Sequence, residues 1–181
     1  MLINKLKNLF FKEKFNEKQI NNIVENIIKI SGSKIFYDQY KIPKNFLSRF
    51  EIIVVFVFLL HNRLKNERNC KIKLQKVYDC LFDYIDISLR QIGVGDLSVG
   101  RKIAILAKKF TFRIKTYEKS FENDFNDIKK PIKKYIYNNN TSQSLVINKF
   151  VKYILSENKK LKMVLIKKIF VKNYFKLPKK I

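Results

Sequence analysis

The sequence predicts an all-α fold: a single-domain helical bundle with a basic C-terminal helical segment. Three observations carry that expectation. Only four glycines and three prolines interrupt 181 residues, so breakers of regular structure are sparse. Apolar residues recur at steps of three and four over long runs, the spacing that lines one face of an α-helix. The run that could form a buried strand, Ile52–Leu60, has no second strand-like run to pair with, and an unpaired buried strand cannot satisfy its backbone. With 46% hydrophobic residues, the chain has enough apolar side chains for one domain with a real core. Propensity alone points the other way, because the abundant Ile, Phe and Tyr favour strands. Periodicity outweighs it.

Residues 1–15 form a basic amphipathic segment, with Leu2, Leu6, Leu9 and Phe10 on one side and Lys5, Lys12 and Lys14 off it. Without the Arg and Ser of a transit peptide, it reads as a short docking helix. A helix follows over 17–30, with Asn16 as N-cap, Gln19 at the capping-box position and Ile20, Ile23, Val24, Ile27 and Ile28 as its buried stripe. Gly32 ends it in a left-handed conformation. Residues 33–45 are an aromatic connector broken before Pro43. Residues 46–65 form a helix buried on most sides, whose charged ends, Arg49 with Glu51 and then Arg63, mark where it surfaces. His61 is a helix-end residue. Residues 66–73 are a loop.

The strongest pattern spans 74–119. Leu74, Val77, Tyr78, Leu81, Phe82, Ile85 and Leu89 line one helix, and Ile103, Leu106, Ala107, Phe110, Ile114 and Tyr117 line a second. Between them lies the corner Gly93-Val94-Gly95-Asp96, with Asp96 or Ser98 capping the second helix. Residues 121–130 are a mixed polar helix or linker, and Pro131 opens a new segment. A loop over 138–142, a helix over 143–157 and a basic amphipathic helix over 160–176, closed by Pro178, complete the chain. No internal repeat is visible. The organisation is thus an N-terminal segment 1–15, a helical core 16–127, and basic C-terminal helices 128–181 packing on that core.

The net charge of +24 is uneven: residues 128–181 hold 15 lysines against a single acid, Glu157. Such a surface draws polyanions, whether ribosomal RNA, anionic lipid headgroups or an acidic protein. Cys70 and Cys80 fit neither a disulfide framework nor a metal pattern, and free thiols suit a reducing compartment. Cys80 reads as a small core residue. No apolar run approaches the roughly 18–20 residues of a membrane span, and no secretory signal is visible.

Gly93 and Gly95 resemble a phosphate-binding turn only superficially. The dinucleotide fingerprint needs a preceding strand and a third glycine where Ser98 stands. Asp79, Asp83 and Asp86 lie one turn apart and form a polar face with Arg90. They suit ion pairing, Asp86 with Arg90 and with Arg49, Arg63 or Arg113, better than metal binding, which in helical bundles also recruits Glu-x-x-His. No nucleophile–base arrangement exists, so a binding protein is expected, not an enzyme, with no cofactor. The terminal basic helix suits an anionic membrane or RNA phosphates.

The stretch from Asp86 to Val99, Asp-Ile-Ser-Leu-Arg-Gln-Ile-Gly-Val-Gly-Asp-Leu-Ser-Val, resembles the signature of the ubiquinol–cytochrome c chaperone family. Arg49-Phe50-Glu51 with Arg63-Leu64 upstream, and Phe110, Arg113 and Tyr117 downstream, match two further segments of that family. Gln91, Lys44-Asn45 and Phe112 depart from it. The resemblance implies an all-α protein that assists assembly of ubiquinol–cytochrome c reductase, respiratory complex III. It implies nascent cytochrome b as client, contact with the ribosome or an anionic membrane, and a small helical partner protein. It places the protein in the cytoplasm or an organelle matrix, peripheral to the inner membrane. Arg49, Phe50, Glu51, Asp83, Asp86, Arg90, Gly93, Gly95, Asp96 and Arg113 become the candidate partner-binding or signature residues. The other expectation is a basic helical RNA- or ribosome-binding protein unrelated to respiration.

Overall fold

A computed structural model describes residues 17–67, 70–122, 124–140, 142–170 and 174–178. The segment 1–15 and the proposed cap Asn16 lie outside the described residues. The elements are α1 (Glu17–Ser31), α2 (Lys34–Asp38), α3 (Phe46–Leu64), α4 (Cys70–Gln91), α5 (Asp96–Phe121), α6 (Phe125–Tyr135), α7 (Ser144–Met163) and α8 (Ile166–Ile169). No strand occurs among the described residues, and the all-α expectation holds.

The organising element is α3. Asn45 caps it, its side chain accepting from Ser48 N at 2.9 Å. Every residue of Ile52–Leu60 is at most 4% exposed. A helix apolar all round must be enclosed all round. Here α1, α4, α5 and α7 pack against it, and α6 bridges α5 to α7. The seam between α7 and α1 is closed by α2, whose Phe36 ring meets Phe56 and Phe150, and by the C-terminal segment. In that segment Phe175 packs edge-on against Phe56, and both of its backbone polar groups bond to the Asn26 amide.

Several expectations are corrected by tertiary contacts. Gly32 has no left-handed φ. It is small because a Cβ there would meet the Arg49 guanidinium at 3.2 Å. The connector 33–45 holds a helical turn, α2, and α4 begins at Cys70, within the expected loop. Pro131 does not open a segment but sits inside α6, which Asp124 caps by accepting from Asp127 N at 2.9 Å. The lost hydrogen bond and the ring's crowding of the preceding turn cost about 3 kcal/mol or more; burial of Ile128, Pro131 and Ile132 opposes this. The boundary at 127/128 falls within this helix.

The single helix expected over 160–176 is absent. α7 runs on to Met163, Val164 is extended, and only Ile166–Ile169 resumes helix. The stop has a physical cause. Arg63 donates from Nε to Leu161 O at 2.9 Å and from Nη2 to Val164 O at 3.2 Å, satisfying the free carbonyls at the end of α7 with a cation. Arg63 therefore does not mark where α3 surfaces, and neither do Arg49 and Glu51, which are drawn into the interior.

Candidate functional site

The corner between α4 and α5 is built by its glycine. Gly93 has φ +84°, a conformation that side-chain-bearing residues resist. It lets Val94 N donate to Leu89 O and Gly93 N to Arg90 O, both at 3.0 Å. These two bonds make a Schellman stop for α4. Gly95, not Asp96 or Ser98, is the N-cap of α5, without a side-chain bond. Its backbone is extended, and a Cβ there would meet nothing within 4 Å. Asp96 instead takes the first turn, where a carboxylate complements the helix dipole. Arg90 bridges the corner. It donates from Nε to Asp86 at 2.6 Å and from Nη1 to Asp96. The Asp86 bond is the chief reason its pKa is raised. Asp83 is exposed beside this network.

The other candidate residues lie deeper. Arg49 donates from Nη2 to Ile28 O at 3.2 Å and to the Tyr84 hydroxyl at 3.3 Å, tying α1, α3 and α4 together. Its Nε is buried without a partner. Phe50 is core. Glu51 is 6% exposed and receives both nitrogens of the Arg113 fork at 3.0–3.2 Å. Arg113 stacks on Tyr135, its guanidinium carbon 3.4 Å from the ring centroid. Burial pushes the Glu51 carboxyl above its usual range, and the Arg113 hydrogen bond only partly opposes this. Arg49, Arg63 and Arg113 thus do not pair with the aspartate face, as the sequence suggested. Asp86–Arg90 pairs as expected, while Asp79 accepts from Gln75 at 2.7 Å. Cys80 is half-buried, with its thiol 3.4 Å from Asn21 Oδ1.

Around the corner the molecule leaves an apolar surface uncovered. A groove of about 320 Å³ is lined by Phe46, Leu47, Leu89, Ile92, Lys102, Ile105, Leu106 and Lys109. A smaller cavity of about 170 Å³ adjoins it, sharing Phe46 and Ile92 and walled by Arg49, Tyr84 and Gln91. Leu47, Ile92 and Ile105 are 53%, 64% and 49% exposed, and Leu97 at the corner is 99% exposed. Sequence reasoning missed Lys102, Ile105 and Lys109. The available signal was Ile105, an apolar residue off the buried stripe of α5.

His61 also has partners that sequence proximity could not reveal. Its Nδ1 lies 2.6 Å from the Tyr78 hydroxyl and its Nε2 lies 3.1 Å from Glu118. Lys65 lies 3.6 Å from the same carboxylate. This cluster closes one end of a second groove, of about 580 Å³, between α4 and α5. Among the described residues no group of three or more His, Cys, Asp or Glu side chains could hold a metal. No helix there is long and apolar enough to cross a membrane.

Comparison with known proteins agrees with the resemblance at the corner. The model of the ubiquinol–cytochrome C chaperone family matches residues 38–174, from α2 to beyond α8. The chain belongs to that family, whose members are chaperones of ubiquinol–cytochrome c reductase assembly. Its fold is that of the Cbp3 homolog from Brucella abortus. The TM-score to that crystal structure is 0.76 at 24% identity, covering 95% of this chain and 96% of the other. No curated protein matches.

Proposed function

We propose that the protein holds newly made cytochrome b and releases it into the assembling complex III. Family membership over residues 38–174 carries this proposal. The exposed apolar surface beside the α4–α5 corner supports it, since a chaperone for a membrane subunit needs apolar area open to its client. The protein works by binding, without a catalytic set or cofactor. Its lysine-rich last third holds it at an anionic surface, ribosomal RNA or the inner face of the energy-transducing membrane. Glu157, the acid of that third, is 3% exposed and bonded to Lys160 at 2.6 Å, so it offsets one lysine among the 15. A small helical partner protein completes the complex.

Deletion of the gene is expected to lower complex III and the cytochrome b absorbance while sparing the other respiratory complexes. An unchanged cytochrome b spectrum in the deletion strain would sink the proposal. The charge of 128–181 also favours a second reading, an RNA-binding protein unrelated to respiration. That reading expects RNA affinity with a steep salt slope and normal complex III.

A further inference from the structure

The groove beside the corner has a chemical polarity that specifies its occupant. Its floor is apolar: Leu89 and Leu106 are 2% and 4% exposed, with Phe46 between the helices. Its walls are the exposed side chains of Leu47, Ile92 and Ile105. One edge alone is charged, by Lys102 and Lys109 of α5. Seven residues are two helical turns, so these cations recur along that edge at about 10.5 Å, with Ile105 between them. Neither is held in an ion pair among the described residues. Glu51, whose charge reaches Lys109, is already taken by Arg113.

We propose that this groove takes an amphipathic α-helix of a partner polypeptide. One face of that helix is aliphatic, and two carboxylates seven residues apart along its edge meet Lys102 and Lys109. Charge complementarity chooses this occupant, and shape supports it. A concave trough with a cationic rail on one side fits a helix laid parallel to α5. The inference rests on the reading of the protein as a chaperone that holds a polypeptide, and it names the chemistry of what is held.

The test uses the full chain and a synthetic helical peptide with leucines on one face and glutamates at positions i and i+7 on the flanking edge. Because any acidic peptide is drawn to a +24 protein, the control is an isomer of identical composition with both glutamates at the centre of the polar face, turned away from the groove whichever way the helix runs. The matched peptide is expected to bind about tenfold tighter than the isomer. Lys102→Glu with Lys109→Glu should reverse the charge preference, losing the matched glutamate peptide and binding the same peptide with lysines in place of glutamates. Ile105→Lys, at a half-exposed site and checked for unchanged helix by circular dichroism, should abolish binding of the matched peptide. Equal binding of the isomer, or no reversal in the charge-swapped pair, overturns the proposal. So does an Ile105→Lys variant that loses anionic phosphatidylglycerol vesicles but keeps the peptide. If the peptide binds as expected while the deletion strain keeps normal complex III, the assembly function fails and the groove stands. If complex III falls but the isomer binds equally, the groove alone fails.

Discussion

Two arginine–carboxylate clusters lie within the stretch that carries the family resemblance, and they differ in one respect. Glu51 and Arg113 meet inside the bundle, their side chains 8% and 14% exposed. Arg90 meets Asp86 and Asp96 at the corner, with side chains 47%, 32% and 86% exposed. The donor and acceptor chemistry is the same. At the corner water competes for each charge and salt screens it, so the cluster shapes the turn more than it stabilises the fold. In the interior little of either side chain reaches water, and a charge deprived of its partner has no replacement. Burial outweighs Arg113 in setting the Glu51 pKa. The buried pair thus gains little over an apolar pair, yet loses much if halved.

Halving the buried pair is therefore the largest effect to look for. Glu51→Ala should cost about 3–5 kcal/mol in urea unfolding, because Arg113 is left charged between α3, α5 and α6. Replacing both, Glu51→Leu with Arg113→Met, should recover most of that loss. A double variant as unstable as the single one would show that packing, not charge, dominates at this site.

The interior also predicts an alkaline limit. Tyr137 donates to Tyr40 O at 3.0 Å and Tyr153 to Lys176 O at 2.7 Å, and burial raises both pKa values well above the ordinary tyrosine range. Tyr117, fully buried with no partner for its hydroxyl, is raised as well. A raised pKa means that the folded state favours the neutral phenol. The stability is fully present below the unfolded value near pH 10 and is lost as pH rises above it, by up to about 1.4 kcal/mol per pH unit per group. Tyrosinate absorbance should therefore appear together with loss of helix in a pH jump, not before it. Ionisation of these groups in the intact helical state would contradict the burial assigned to them.

How far the sequence revealed this molecule depends on the range of the interactions. The stripes of α1, α3, α4 and α5 were legible because periodicity records which side of a helix faces the core. Gly32, Pro131 and the expected helix over 160–176 depart from the sequence reading for a common reason. Each answers to a residue or surface distant in sequence: Arg49 over Gly32, the α5 and α7 surfaces around Pro131, Arg63 at the end of α7. The same holds for the site. The Asp86–Arg90 pair, four residues apart, was legible. The Glu51–Arg113 pair and the His61–Glu118 contact, separated by 62 and 57 residues, were not. The groove became visible only where the start of α3, the end of α4 and α5 converge.

At the corner the two glycines sharpen the comparison at a smaller scale. Gly93→Ala should cost about 1–2 kcal/mol, since φ +84° is strained for an L residue. Gly95→Ser should change stability by no more than about 0.5 kcal/mol, because the backbone is extended and space is open. It could even add a cap bond to α5. Equal losses at both positions would mean that the corner is held by something other than the Gly93 turn.

The smallest stability effect is expected at Arg90, and for that reason it is the most informative about function. Arg90→Gln removes the bonds to Asp86 and Asp96 but leaves the Schellman stop, the buried stripe of α4 and the Asp96 charge at the start of α5. Its midpoint in urea should move little, and that small shift should vanish in high salt, where exposed pairs are screened. If complex III nevertheless falls in a strain carrying Arg90→Gln, the arginine acts on a partner and not on the fold, and the exposed cluster is the contact while the buried one is the frame. If complex III is unchanged while Glu51→Ala abolishes it, the corner's charges are dispensable and only the scaffold behind them is required.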